Sequence, residues 1–157
     1  MAVALIVAPA ASAKTLTLNW VEQASATYYP ATMTFKVKSV TTGAHAWSVR
    51  ASVTNRSNTT IRLVKAVTIA SPHYQYPFSL LFAPVCKPPA ISCQLEILAA
   101  TYFRSAKPTQ LRSGKTWTGT FGGPGLPPRQ KLINVGFGEF VVGKKTFSYI
   151  TTHAFKL

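Results

Sequence analysis

The amino-acid sequence predicts an all-β protein whose fold is an antiparallel β-sandwich of about eight strands. Apolar and polar side chains alternate with period two in several short segments, whereas apolar stripes at helical spacing are hard to find. Turn-forming residues separate these segments roughly every ten to fifteen positions. The chain has 157 residues, of which 47% are hydrophobic, so we expect one domain with a substantial core. A closed β-barrel is the alternative architecture.

The clearest strand pattern lies in residues 47–54, where the two faces differ in character. One face would carry Trp47, Val49, Ala51 and Val53, and the other Ser48, Arg50, Ser52 and Thr54. Such alternation is typical of a half-buried antiparallel strand. The same pattern around Leu16 and Leu18, and again in residues 33–37, predicts two strands upstream. A turn at residues 41–44 would join the second of these to the Trp47 strand as a hairpin.

Further strands are predicted after a polar turn at residues 55–58. They lie at residues 61–69, 78–82, 94–103, 115–121, 131–137 and 144–155. Residues 96–104 leave a second interpretation open, because Leu95, Leu98 and Tyr102 could equally mark a short helix.

The first thirteen residues have the features of a secretory signal. Residues 2–10 are small and apolar, and Ala11-Ser12-Ala13 forms an A-x-A cleavage pattern. We therefore interpret residues 1–13 as the remnant of a signal peptide and residues 14–157 as the single mature domain. An apolar N-terminal strand or a cloning remnant is the alternative. No other segment approaches the roughly 20 apolar residues of a membrane span, so an exported protein without a transmembrane segment is expected.

The two cysteines, Cys86 and Cys93, fit an oxidising compartment. Pro88 and Pro89 force a turn between them, which favours a local disulfide that holds one loop. In the chain-entropy model, closing so short a loop stabilises a fold by about 2–3 kcal/mol. A redox or zinc role is not favoured, because the spacing is not CxxC and the sequence has no second cysteine pair.

Two segments carry a family resemblance. Residues 46–57 read AWSVRASVTNRS and residues 111–121 read LRSGKTWTGTF. Together they resemble the strand-and-turn motifs of secreted immunoglobulin-like β-sandwich domains of actinobacterial and other Gram-positive exported proteins, the immunoprotective-antigen-like group. The resemblance spans residues 33–137 and implies an immunoglobulin-like fold without catalytic residues, since most members lack a defined biochemical activity. The strong basicity and the inserted Cys86–Cys93 loop depart from the common pattern.

Side chains that carry out catalysis or bind metals are scarce. The sequence has three acidic residues, all glutamate, and three histidines. They are Glu22, Glu96, Glu139, His45, His73 and His153, and only folding could bring them together. A GxSxG elbow is absent, and the glycine-rich residues 121–129 lack the GK[ST] ending of a phosphate-binding loop. We therefore expect no enzymatic activity, no cofactor and no metal site.

Positive charge dominates the composition. Seventeen Lys and Arg stand against the three glutamates, which gives a formal net charge of +14. Self-repulsion of this size is tolerated most easily where anions are plentiful, so the charge predicts binding to negative surfaces. The candidate anion-binding residues are Lys36, Lys38, Arg50, Arg62, Lys65, Arg104, Lys107, Arg112, Lys115, Arg129, Lys131, Lys144 and Lys145. If Arg50 lies across the hairpin from Lys36 and Lys38, three like charges would share one face within about 10 Å.

The expected function is noncatalytic binding at the cell envelope by a secreted domain, extracellular or associated with the cell wall. The partner would be an anionic envelope polymer or lipid head groups, bound in a salt-sensitive manner. Sequence-specific nucleic-acid recognition is not expected, because helix-turn-helix, zinc and RNP-type motifs are absent. Aromatic residues near loops could stack on sugars or bases, namely Tyr28, Tyr29, Tyr74, Tyr76 and Trp117. The alternative is a module that assembles with an unidentified protein, the charge serving solubility.

Overall fold

The computed structural model describes residues 13–63, 80–85, 94–124, 132–153 and 155–156. These residues form β-strands and no helix. The strands are β1 (Lys14–Ala24), β2 (Met33–Thr42), β3 (Ala46–Asn55), β4 (Ile61–Leu63), β5 (Leu80–Val85), β6 (Gln94–Ala99), β7 (Tyr102–Arg104), β8 (Gln110–Leu111), β9 (Thr116–Pro124), β10 (Leu132–Val142), β11 (Lys145–Ile150) and β12 (Phe155–Lys156). The all-β prediction is confirmed for this part of the chain, but the predicted number of strands is not.

The strands form two antiparallel sheets. Sheet I has the order β1-β2-β3-β9-β7. Sheet II has the order β6-β5-β10-β4-β8, with β11 and β12 also paired to β10. The 41–44 turn joins β2 and β3 as predicted, and the Gly43 amide donates to the Ala46 carbonyl oxygen at 2.8 Å. Two antiparallel sheets that share an apolar core are consistent with a β-sandwich.

The alternation predicted for β3 sorts its side chains between the core and the outer face of sheet I. Its apolar members, Trp47, Val49, Ala51 and Val53, are buried. On the other face Arg50 is exposed, whereas Ser52 and Thr54 are polar and nevertheless buried. Ser52 lies mid-sheet between Lys36 and Thr118, and Thr54 shares a 2.8 Å hydroxyl hydrogen bond with Thr116. Small polar side chains in the middle of a sheet are covered by their longer neighbours.

Phe35 connects the two sheets. It lies on β2 in sheet I and is fully buried, and its ring stacks on that of Tyr149 in sheet II, with centroids 4.1 Å apart and planes at 2°. It also contacts the rings of Phe137 at 4.8 Å and Phe140 at 5.9 Å. Close aromatic pairs of this kind contribute about 0.5–1.5 kcal/mol each beyond their burial.

A β-bulge in β10 supplies two of those partners. Phe137 pairs with Tyr149 and Phe140 pairs with Phe147, so the two residues between them on β10 lie opposite a single residue of β11. Residues three apart on a regular strand would point to opposite faces. The bulge lets Phe137 and Phe140 both reach the core, where both contact Phe35.

Asn55 holds the end of β3 to the turns around it. Its side chain is fully buried, and Nδ2 donates to the carbonyl oxygens of Thr59 at 2.7 Å and Leu111 at 2.9 Å. Its Oδ1 accepts from the Ser57 amide and from the Ser57 hydroxyl. The polar turn predicted at residues 55–58 is therefore organised by one asparagine, which also reaches β8 of the other sheet.

The helix alternative for residues 96–104 is wrong. This stretch contains β6 and β7, which pair with β5 and β9. Of the strand predicted at residues 61–69, the part that the structure describes is β4. Other predictions lie outside the described residues: positions 1–12 of the signal segment, the Cys86–Cys93 disulfide, Lys65, His73, Tyr74, Tyr76, Arg129 and Lys131. In the part described, no helical segment has the length and apolarity that crossing a bilayer requires.

Tyr149 places a buried hydroxyl beside an acidic side chain. Its oxygen is inaccessible and makes no hydrogen bond with the described residues. The neighbouring Glu22 carboxylate is engaged with Thr152, accepting from its hydroxyl at 2.7 Å and its amide at 3.2 Å. Burial raises the pKa of Tyr149 far above its ordinary value, and the neighbouring Glu22 carboxylate, which favours the protonated phenol as an acceptor and as a negative charge, raises it further.

Replacement of Asn55 by alanine should lower the free energy of unfolding by about 2–3 kcal/mol, because the Leu111 and Thr59 carbonyl oxygens lose their donor. Urea denaturation measures this loss. The matched control is Asn58→Ala in the same turn, whose side chain is exposed and should change stability by less than about 0.5 kcal/mol. Equal losses in the two variants would contradict this role of Asn55.

Alkaline pH should destabilise the fold through Tyr149. Below pH about 10 both states keep the phenol proton, and above it only the unfolded state releases the proton. Stability should then fall by up to about 1.4 kcal/mol per pH unit. Tyr149→Phe should show a shallower fall than the wild type in urea titrations above pH 10, while Tyr28→Phe, at an exposed position, should match the wild type. Identical slopes for wild type and Tyr149→Phe would refute the idea.

Candidate anion-binding face

The outer face of sheet I gathers four of the predicted cations. Lys36 and Lys38 lie on β2, Arg50 on β3 and Arg104 on β7. Lys36, Arg50 and Arg104 are exposed and Lys38 is half-buried. We call the surface formed by these four residues the cationic face. It is one side of a sheet whose other side packs on the core.

Arg50 and Arg104 lie in one row across the sheet. Arg50 pairs with Thr120 on β9, and Thr120 pairs in turn with Arg104 on β7. Two strand spacings separate the arginine Cα atoms, which corresponds to about 10 Å. The chain positions of these arginines do not reveal this proximity, since it depends on β9 lying between β3 and β7.

The β2–β3 hairpin brings the other two cations beside Arg50. Lys36 pairs with Ser52, which places it diagonally from Arg50 at about 7–8 Å. The register shifts between Val37 and Ser39, so Lys38 is the extra residue of a bulge beside Arg50. The grouping of Lys36, Lys38 and Arg50 expected from the sequence is therefore present.

No described carboxylate offsets these charges. Glu22 has the opposite orientation in β1, where it pairs with buried Phe35 and bonds to Thr152. Glu139 is buried and helps line a pocket between the sheets with Phe137 and Phe140. Glu96 belongs to β6 of sheet II. The described part of the cationic face is consequently a region of uncompensated positive charge.

Tyr102 lies beside the cationic face, on the same side of sheet I, and the sequence analysis did not identify it as a candidate binding residue. It pairs directly with Gly122, and its side chain lies over that glycine, since a Cβ at position 122 would overlap the Tyr102 hydroxyl and the Trp47 carbonyl oxygen. The Arg104 guanidinium carbon is 6.0 Å from the centre of the Tyr102 ring. The period-two spacing of Tyr102 and Arg104 indicates that both side chains lie on one face of a strand. The sequence alone left residues 96–104 undecided between strand and helix, so this spacing was not used.

The remaining described candidates are spread over other parts of the molecule. Arg62 lies on β4, Lys107 in the β7–β8 connection, Arg112 and Lys115 in the β8–β9 turn, and Lys144 and Lys145 at the β10–β11 turn. Thus the structure brings the basic residues together only in part.

Two of the aromatic candidates for stacking are packed against other rings. Tyr29 contacts the rings of Phe147 and Tyr149. Trp117 packs on Phe103 and donates from Nε1 to the Ser105 carbonyl oxygen at 3.4 Å. Tyr28 remains exposed over 85% of its surface. The prediction that Tyr29 and Trp117 serve as free stacking groups is therefore wrong, because the core uses them.

The two described histidines lie in different loops. His45 is exposed in the β2–β3 turn, and His153 is exposed with its ring against Phe155 at 5.4 Å. In the described ranges, no three His, Cys, Asp or Glu side chains come together as a metal site would require.

Comparison of the chain with sequence models of protein families, with curated proteins and with solved structures finds no match.

Repulsion within the cationic face should be measurable as a salt effect on stability. Arg50→Gln should raise the free energy of unfolding by about 0.2–1 kcal/mol in low salt, because Lys36 and Lys38 lose a like-charged neighbour. The gain should disappear near 1 M NaCl, where the Debye length is about 3 Å. Arg62→Gln is the control, since Arg62 pairs with the uncharged residues Val141 and Gln110. A gain for Arg50→Gln that persists in high salt would argue against repulsion.

Proposed function

We propose that this protein is a secreted, noncatalytic binding domain that attaches to anionic polymers or lipid head groups of the cell envelope through its cationic face. One observation carries the proposal. Lys36, Lys38, Arg50 and Arg104 share one exposed sheet face on which no described carboxylate lies.

The geometry of the charges favours a polymer over a small anion. The four cations are distributed over three strands of sheet I, and Arg50 and Arg104 are two strand spacings apart. A small anion would contact one or two of them, whereas a chain with repeated negative groups could meet several at once. Each contact would neutralise a cation that its neighbours repel and would release counterions from the polymer.

The immunoglobulin-like, exported character of the domain is part of the same proposal. Residues 46–57 and 111–121, which carry the resemblance, contain β3 and much of β9. These strands pair antiparallel along their length in sheet I. Their pairing supports the interpretation that the two motifs belong to one structural unit.

A protein-binding role is the second candidate, and exposed side chains near β1 favour it. β1 is an edge strand of sheet I, and Val21 on it is 55% exposed. Tyr28 follows in the β1–β2 connection and is 85% exposed. Edge strands with exposed apolar groups can pair with or dock another chain. Binding of this kind would depend little on salt.

Linear polyphosphate is a suitable probe for the cationic face. Four contacts predict a slope of about −3 for log K against log [NaCl], or about a 60-fold loss of affinity between 50 and 200 mM NaCl. The variant Lys36→Gln/Lys38→Gln/Arg50→Gln/Arg104→Gln should lose most of the affinity and of the salt dependence. Isothermal titration calorimetry measures both.

A variant of equal net charge provides the control. Arg112→Gln/Lys115→Gln/Lys144→Gln/Lys145→Gln removes four exposed cations from turns and leaves the cationic face intact. It should bind polyphosphate within about threefold of the wild type, apart from a small loss of long-range attraction. Equal losses in the two variants would show that net charge acts alone and would contradict the proposed site. Salt-independent capture of one envelope protein, without polyphosphate binding, would support the second candidate instead.

A further inference from the structure

Two neighbouring rows of side chains run across the outer face of sheet I, perpendicular to its strands. The first, which we call the charge row, contains Arg104, Thr120, Arg50, Ser39 and Thr17, each paired with the next. The second, which we call the ring row, contains Tyr102, Gly122, Ser48, Thr41 and Thr15, paired in the same way. The rows are two residues apart along β3, β7 and β9, which corresponds to about 7 Å.

The ring row begins with an aromatic side chain laid on the sheet. The hydroxyl end of Tyr102 covers Gly122, where any larger residue would collide with it. Tyr102 nevertheless keeps 37% of its surface exposed. Arg104, two residues along β7, has its guanidinium carbon 6.0 Å from the ring centre. A partly exposed ring held against the backbone is a stacking surface, and its neighbour is a cation.

Beyond Gly122, the other members of the ring row carry hydroxyl groups. Ser48 and Thr41 are half-buried and Thr15 is exposed, and the Thr15 and Thr41 hydroxyls are hydrogen-bonded at 2.9 Å. A hydroxyl can both donate and accept, as the hydroxyl groups of a sugar do. No member of this row is charged, and the adjacent charge row contributes Arg50 and Arg104, with Lys38 in the bulge beside Arg50.

We propose that the anionic polymer bound by this face is an acidic polysaccharide that lies across the strands. A sugar ring would stack on Tyr102, its neighbours along the chain would hydrogen-bond to the hydroxyls of the ring row, and their carboxylates or sulfates would meet the charge row. This inference rests on the proposed polyanion-binding function and adds the chemistry of the ligand.

The alternative ligands would use less of this surface. Polyphosphate oxygens can accept hydrogen bonds from the hydroxyls of both rows, but polyphosphate has no ring to stack on Tyr102. A layer of lipid head groups presents charge over a broad area, and neutral hydroxyls would contribute little to its binding. The pairing of an uncharged, aromatic row with a cationic row therefore favours a chain built of acidic sugars.

The test compares polygalacturonate, polyphosphate and phosphatidylglycerol vesicles as ligands of the wild type and of Tyr102 variants at one salt concentration. Tyr102→Ala should weaken polygalacturonate binding about tenfold, as expected when a stacking ring is lost, and polyphosphate binding less than twofold. Tyr102→Phe keeps the ring and should bind polygalacturonate nearly as the wild type does. Tyr28→Ala, which removes an exposed tyrosine distant in sequence, should change neither.

A second variant guards against loss of the fold at position 102. Tyr102→Leu also removes the ring but retains an apolar side chain over Gly122, and its thermal midpoint should be compared with that of Tyr102→Ala. If polyphosphate binds and Tyr102→Leu leaves the affinity for polygalacturonate unchanged, the polysaccharide inference is overturned and the proposed function stands. Tighter binding to vesicles than to polygalacturonate would overturn it in favour of a lipid surface. Failure of all three ligands to bind the wild type would reject the proposed function itself.

Discussion

The contact of Phe35 with the aromatic rings of the opposite sheet is the interaction on which the arrangement of the two layers depends. Its ring stacks on Tyr149 and touches Phe137 and Phe140, so one side chain of sheet I is held by β10 and β11 of sheet II. Close-packed interiors tolerate little displacement, and a shift of either layer would separate several rings at once. The bulge in β10 belongs to the same constraint, because without it Phe137 and Phe140 could not both face the core.

This packing has a direct consequence for the outer face of sheet I. Once Phe35 and Val37 of β2, with Trp47, Val49 and Ala51 of β3, are committed to the interior, alternation leaves the intervening residues outside. Lys36 and Arg50 are such residues, and strand pairing brings them close together. Burial of the apolar set therefore concentrates like charges on one face, which water and counterions screen or an anionic partner neutralises.

Polar contacts at the margins of the core connect the layers where apolar packing ends. Asn55 links β3 to the carbonyl group of Leu111 on β8, and Glu22 of β1 accepts two hydrogen bonds from Thr152, beyond β11. The acidic group that could have offset the cationic face is thereby used in holding the sheets together. Because the chain has only three acidic residues, the engagement of Glu22 with Thr152 and the burial of Glu139 have a large effect on surface charge.

Local patterns in the chain were sufficient for the all-β class, for the β2–β3 hairpin with its three clustered cations, and for the inward and outward faces of β3. Alternation and turn chemistry depend on adjacent residues, which is why these features could be predicted. The same local patterns misassigned Tyr29 and Trp117, whose rings pack between elements, and left residues 96–104 undecided between strand and helix. Two features could be recognised only from the pairing of β3, β9 and β7. They are the row that contains Arg50 and Arg104, and the position of Tyr102 over Gly122. Segments separated by tens of residues become neighbours only when the sheet forms, and no local periodicity encodes which distant strands will pair.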